Sequence, residues 1–453
     1  MAADTTFTPC LRLRWRALPL ALLWWQASAA QGQVLPRDSA FELERAQIML
    51  RTIRSELNRR YYDTTYHGVN LDSVFRAAEQ RLPAGRSNSE RFALIAQAIF
   101  SLGDSHTAFW PPERVTEVRY GFQPGMIGDS CYILAAEPGS DAARQGVHPG
   151  DRIIAVDRYP PNRREFLHFE QVLRHLAPRP VTTLLLEDEA TRVVRQVVVT
   201  SQTREHRRIS DLTRTDGGRD IWDLIRQEQN WEHDRRGSFV TVGDRVLVWR
   251  MPTFVLDDEQ IDDAFSRARR LPALIIDLRG NSGGDVTALE RVVGYLVPRD
   301  VVLDTLHERQ RIVVDTVRAR HDAFAGDLIV LIDQGSASAS ELLARTVQLQ
   351  RRGVVIGDAS AGAVMMSRYY GEQAGGQLAV LYTVQITVSD VVMPDGGDLE
   401  HVGVQPDERV LPTGLDLATG RDPVLARALQ RLGYTTSPEA AGRMFGPRPW
   451  GMW

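Results

Sequence analysis

Leu274-Ile275-Ile276-Asp277-Leu278-Arg279-Gly280-Asn281-Ser282-Gly283-Gly284 runs from an unbroken apolar stretch into a turn of small residues. A short apolar run closed by glycines fits a strand buried on both faces. Leu328-Ile329-Val330-Leu331-Ile332-Asp333-Gln334-Gly335-Ser336-Ala337-Ser338-Ala339-Ser340-Glu341 has the same shape, with a helical pattern after it. Outward from these stretches the pattern alternates. Strands are expected at 246–249, 273–278 and 328–332, and helices at 258–270 and 287–296. Such alternation predicts an α/β layered core, here residues 243–435, with a tail at 436–453.

Upstream the character changes twice. Residues 30–116 read as a helical region, with helices over 41–57 and 87–102. Gly103 stops the second helix, and the polar turn Gly103-Asp104-Ser105-His106-Thr107 follows. Residues 117–203 form a β-rich module. Strands at 130–135, 152–156, 182–186 and 193–200 are separated by turn clusters, with one amphipathic helix over 166–176. Residues 204–242 are polar and arginine-rich, as in a linker. The first 29 residues read as an export signal. Arg12, Arg14 and Arg16 precede an apolar stretch at 17–25, and Ala27-Ser28-Ala29 supplies the small residues of a cleavage site. That stretch is too short to span a bilayer stably, so the expected location is the periplasm or the medium, with no membrane span after signal removal.

Composition narrows the chemistry. Hydrophobic residues make up 43% and charged residues 25%, as in a folded globular chain, and a net charge of -4 offers no field for nucleic acid. The chain has no lysine, so all 54 basic residues are arginine and no lysine amine serves as base or nucleophile. Of the two cysteines, Cys10 lies in the leader and Cys131 in an apolar run, where a buried inert thiol is expected. No CxxC, HExxH or EF-hand spacing occurs, so neither metal nor cofactor is implied.

Sites in α/β folds sit where strands run into helices. Glycines at 283 and 284 let free amides face a ligand, and such amides stabilise an oxyanion. At the second junction a serine gains from the amides at a helix N-terminus. Ser338-x-x-Glu341 also reads as a plain capping box, and periodicity does not rank Ser336, Ser338 and Ser340. A serine nucleophile needs a base. With lysine absent, histidine is the candidate among ten. His106 in its polar turn and His401 beside Glu400 are the rivals.

DLRGNSGG at 277–284 and GSASASELLA at 335–344 together resemble the two signatures of the S41 peptidases, the C-terminal-processing and tricorn-core type. Residues 138–154, with Pro138-Gly139-Ser140 and Pro149-Gly150-Asp151, resemble a PDZ domain. The resemblance implies a peptidase core built as a crotonase-like ββα spiral, beside an N-terminal helical region and the PDZ-like domain. The Ser–Lys members carry a lysine where this sequence has Ala363. The tricorn-type Ser–His–Ser–Glu set is matched by Ser105-His106-Thr107 and by Leu399-Glu400-His401. The resemblance therefore implies Ser338 as nucleophile, His106 as base, Ser105 and Glu400 behind it, and Gly283, Gly284 and Ala339 as oxyanion donors. It implies a protein or peptide substrate, with the PDZ-like domain either recruiting it through its C-terminus by Gly121 and Phe122 or gating the site as a lid. The alternative is a noncatalytic relative that binds peptide or an apolar ligand.

Overall fold

A computed structural model describes residues 39–112, 116–205, 237–375 and 380–445. The expected leader at 1–29, most of the expected linker and residues 446–453 lie outside the described residues.

The N-terminal region holds helices α1 (Ser39–Arg60), α2 (Leu71–Arg81) and α3 (Asn88–Phe100), then the short strand β1 (Ala108–Trp110). The β-rich module follows. It contains β2 (Thr116–Arg119), β3 (Phe122–Ile127), β4 (Ser130–Ala136), α4 (Asp141–Arg144) and β5 (Arg152–Val156). Then come α5 (Phe166–Gln171), β6 (Val181–Glu187), β7 (Val194–Thr200) and β8 (Gln202–Glu205). β3 to β7 make an antiparallel sheet in chain order, with β3 and β7 at its edges, and β2 pairs with β8.

The core begins with β9 (Ser238–Val242), β10 (Val246–Arg250), α6 (Asp258–Ala268), β11 (Ala273–Asp277) and α7 (Val286–Leu296). It continues through β12 (Val301–Glu308), β13 (Ile312–Val317), β14 (Asp327–Ile332), α8 (Ala339–Leu349) and β15 (Val354–Gly357). β16 (Met365–Ala374), β17 (Val380–Val392) and β18 (Glu408–Arg409) complete the strands. Helices α9 (Gly414–Thr419), α10 (Pro423–Arg431) and α11 (Pro438–Gly442) close the described chain.

Six strands form one sheet in the order β18-β15-β14-β11-β10-β9, all parallel except β9 at its edge. Alternation along β11 shows why it is buried on both faces. Leu274 and Ile276 pack under α6, α7 and α8, while Ala273 and Ile275 pack against Val424, Leu425 and Leu429 of α10. The result is an α/β/α sandwich. Its helices are specified locally. Asp257 caps α6 by accepting from Gln260 N at 2.8 Å, and the Gln260 side chain returns to Asp257 N at 3.0 Å. Ile261, Ala264, Phe265 and Ala268 then fall on one buried face. Removing the Phe265 ring, which stacks on Tyr295 at 4.5 Å, would cost about 3–5 kcal/mol.

A second, antiparallel sheet runs β1-β17-β12-β13, with β16 also paired to β17. Tyr382, Val384 and Ile386 of β17 pack against Ile53, Leu57, Ile95 and Ile99 of the N-terminal helices. That packing ties the helical region to the core.

The crotonase-like ββα spiral is not what the chain forms. The fold is mixed α/β, and its parallel strands are joined by unlike connections. β10 reaches β11 through a helix alone. β11 reaches β14 through α7 and the β12–β13 hairpin, which belongs to the other sheet. Among the described residues no regular succession of ββα units forms, and the antiparallel sheet is completed by β1 from far upstream.

Candidate active site

Ser338 stands at the head of α8 with φ 54° and ψ −118°, a backbone conformation that L-residues avoid at a cost of about 1–3 kcal/mol. The junction is held by its neighbours. The Ser336 hydroxyl donates to Leu278 O and the Ser340 hydroxyl to Asn281 O, both at 2.8 Å, and both residues are fully buried. Ser338 is the half-buried one of the three serines. The glycine turn lies against it. A Cβ on Gly283 would sit 2.8 Å from Ser338 Cβ and 3.2 Å from Ala339 N, so only glycine allows this approach.

The three expected oxyanion donors differ in their freedom. Gly283 N–H donates to Asn281 Oδ1 at 2.9 Å. Gly284 N–H and Ala339 N–H make no hydrogen bond to a described residue. The turn is anchored by Arg279, whose guanidinium bridges Asp277 and Asp422 through contacts of 2.8 Å. Arg279 is thus a structural clamp for the turn.

His106 comes from the other sheet. β1 pairs with β17 in the register Ala108↔Gln385, which fixes the turn just before it. Asp104, buried, is the turn's anchor. Its Oδ1 accepts from His106 N (3.0 Å), Thr107 N (2.6 Å) and the Thr387 hydroxyl (2.8 Å), and its Oδ2 from the Tyr61 hydroxyl (2.7 Å). Ser105 joins His106 to Glu400. The Ser105 hydroxyl donates to Glu400 Oε2 at 2.9 Å, and Ser105 N donates to Glu400 Oε1 at 2.7 Å. His106 Nδ1 lies 2.8 Å from Ser105 Oγ. Because the serine proton points at the carboxylate, Nδ1 must carry the imidazole proton, and Nε2 is left with its lone pair. Burial pushes the His106 imidazole down to about 4, against the opposing pull of Asp104, so the ring is neutral near pH 7. Burial raises Glu400 above the usual carboxylate range, opposed by the amides of Val364 and Ser105.

The segment at 360–364 connects the two halves. Ser338 N donates to Ala363 O at 2.9 Å, and Val364 N donates to Glu400 Oε2 at 2.8 Å. No hydrogen bond joins His106 to Ser338, a looseness common in sites without substrate. His401, the rival to His106, donates its backbone N–H to Gly362 O at 2.8 Å, and its ring Nε2 lies 2.6 Å from Gly103 O. Sequence reasoning missed Asp104 and Thr387. A carboxylate two residues before a histidine is a turn signal, but its partners are 283 and 43 residues away.

Phe122 is packed in the core of the β-rich module beside Tyr120 and Ile133. Gly121 O accepts from Glu137 N at 2.9 Å and from the Ser140 hydroxyl at 3.3 Å. The module also touches the core. Arg163 donates to Gly128 O and Ala359 O, both at 2.9 Å, and pairs with Asp358, which in turn accepts from Gly128 N at 2.7 Å.

A serine of strained backbone at a helix head, an imidazole relayed to a carboxylate and two open amides are the kinds of group that serine-type hydrolysis uses. Residues 245–410 match the sequence profile of peptidase family S41. The chain is 24% identical over 369 residues to "Carboxyl-terminal-processing peptidase 2, chloroplastic" of Arabidopsis thaliana, covering 78% of this chain and 66% of that protein. It is 23% identical over 403 residues to "C-terminal processing peptidase, chloroplastic" of Tetradesmus obliquus, covering 86% and 80%. In fold it is similar to mature CPAF, with a TM-score of 0.61 and 17% identity over 83% of this chain and 94% of that one. This likeness also sets aside the spiral in favour of a mixed α/β peptidase fold. Over residues 245–410 the chain is similar to the S41 peptidases, and its fold is a peptidase fold of that C-terminal-processing/tricorn type with an associated β-rich accessory domain.

Proposed function

We propose that the chain is an exported endopeptidase that cleaves proteins or peptides through an acyl-enzyme on Ser338. The observation that carries this reading is the relay from Glu400 through Ser105 to His106, tied to the head of the Ser338 helix by residues 363 and 364, where Ala363 O accepts from Ser338 N and Val364 N donates to Glu400.

His106 Nε2 takes the Ser338 Oγ proton as Oγ bonds the carbonyl carbon of the substrate. Glu400, through Ser105, stabilises the imidazolium that forms. The carbonyl oxygen gains negative charge and is held by the amides of Gly284 and Ala339, each such donor contributing about 3 kcal/mol. The C–N bond then breaks as Nε2–H protonates the leaving amine. Water repeats the sequence in reverse and frees Ser338. Gly283 supports the turn in this scheme, its amide being given to Asn281.

The β-rich module receives an extended chain end along the open edge of β3, near Gly121 and Phe122, by strand addition. Arg163 links that module to the segment at 358–360, so docking there also gates the site. Export rests on the leader at 1–29, and no described helix is long and apolar enough to cross a membrane.

A fluorophosphonate probe tests the reading. Wild type should label at Ser338, and Ser338→Ala should not label at all. His106→Ala should lose labelling while keeping the wild-type melting temperature. Full labelling of Ser338→Ala would remove the nucleophile from the scheme. Peptide binding by an unlabelled wild type would favour a noncatalytic binding protein.

A further inference from the structure

Glu341 is fully buried at the third position of α8, and the mechanism above gives it no part. A capping role needs one bond, from Ser338 N to its Oε2 at 3.0 Å. Three more donors reach it from the segment at 360–363. Ala363 N donates to Oε2 at 2.9 Å, while Gly362 N and the Ser360 hydroxyl donate to Oε1 at 2.8 and 2.5 Å. These four donors fill the acceptor positions of an ionised carboxylate, and no arginine or histidine pairs with it among the described residues.

The next amide along the segment, Val364 N, goes to Glu400. Successive amides at 362, 363 and 364 are therefore shared between two carboxylates. One carboxylate sits on the nucleophile's helix and the other in the histidine's relay. The Ser338 N–H is itself divided between Glu341 and Ala363 O. We propose that Glu341, as an anion, is a positioning residue that holds Ser338 in its left-handed conformation and sets its place relative to the Glu400–Ser105–His106 relay. The proposal rests on Ser338 being the nucleophile.

A proton on either oxygen of Glu341 turns an acceptor into a donor that faces an N–H or O–H, and at least one of the four bonds is lost. Burial pushes Glu341 up to about 7, against the pull of its own donors. Activity should therefore be present above that value and fall as pH drops through it. The other charged groups at the segment are Glu400 and His401 on its far side, and Asp358 with Arg163 and Arg409 at its start. His106 titrates lower, at about 4, so its limb lies apart.

The test measures fluorophosphonate acylation of the full-length enzyme from pH 5 to 9, with fluorescent casein hydrolysis for kcat and KM. Glu341→Gln should slow acylation about 100-fold at pH 9, with the difference from wild type shrinking below pH 7, and lower kcat with KM within about threefold, while keeping a native far-UV circular dichroism spectrum. Ser360→Ala keeps the carboxylate and removes one donor to its charged form. It should stay within about threefold of wild type at pH 9 and move the acid limb up by about one pH unit. Acylation of Glu341→Gln within threefold of wild type at pH 9 overturns the proposal. Should Glu341→Gln misfold, an acid limb unmoved in Ser360→Ala overturns it instead. A wild type that never labels at Ser338 fails the underlying function, a result distinct from either.

Discussion

The two halves of the site are built in different ways. Ser338, the proposed nucleophile, sits where one strand of the parallel sheet enters its own helix, and its anchors lie within the core at 278–281 and 360–363. The imidazole sits on the edge of the antiparallel sheet. Its relay partner Glu400 is 295 residues from Ser105, and its turn is anchored by a hydroxyl on β17. The first half is built entirely within the core. The second is assembled by long-range contacts and depends on the N-terminal helices packing correctly on β17. Mutations of the reacting groups should therefore act through chemistry in both halves, and mutations of the scaffold behind His106 through assembly.

The largest effect expected is at the meeting of the halves. Ser338→Ala and His106→Ala should each cut hydrolysis by about 10⁴-fold or more, and the double variant should be no worse than either. Losses that multiply in the double variant would mean that the two groups work independently, and the division drawn above would collapse. Next comes the relay. Ser105→Ala leaves Glu400 without its hydroxyl donor and His106 Nδ1 without an acceptor. kcat should fall about 100-fold with KM little changed. A fall confined to KM would place Ser105 in substrate binding.

Thr387→Val probes assembly without touching the relay. It preserves shape and removes a hydroxyl that donates to Asp104 and pairs with Thr107. Leaving those buried groups short of a partner should cost about 1–3 kcal/mol of stability. Urea denaturation reads that cost, and activity per folded molecule should fall by no more than about tenfold. Activity lost with stability intact would show that the turn has a chemical role beyond scaffolding.

The same division governs what could be read from the residues alone. The parallel strands were legible because burial on both faces leaves an unbroken apolar run, as in Leu274-Ile275-Ile276. The helices at 258–270 and 287–296 were legible by their 3.6-residue spacing, and the observed elements overlap both. The antiparallel sheet was not foreseen. β13 exposes Ile312 and Val314, and β17 exposes Leu381 while burying the polar Gln385, Thr387 and Ser389, so neither stands out from its surroundings. The wrong spiral followed from a resemblance concentrated in the parallel strands, with no signal for how the β12–β13 hairpin and β1 would pair. Ser105, His106 and Glu400 were named by family likeness, while Asp104 and the multiple bonding of Glu341 were not. A carboxylate's donors are mostly backbone amides of distant segments, and amides leave no mark on side-chain identity.

The smallest effect is in the pH dependence of stability, and it separates the halves by sign. His106 titrates lower in the folded chain than its ordinary value of 6.5, at about 4. Between those values the unfolded chain binds more protons, so His106 contributes stability that is full above 6.5 and is lost as pH falls. Glu341 runs the other way. Its ordinary value of 4.5 rises to about 7 on folding, so between them the folded chain binds more protons and stability rises as pH falls. The two slopes oppose each other over the shared window from 4.5 to 6.5, and wild-type stability should be nearly flat there. His106→Gln should expose a stability that climbs toward acid pH, and Glu341→Gln one that drops. Urea midpoints at half-unit pH intervals measure this. Two variants that both follow the wild-type curve would mean that neither group titrates as its burial dictates, and the electrostatic contrast between the halves would be gone even if their catalytic contrast stood.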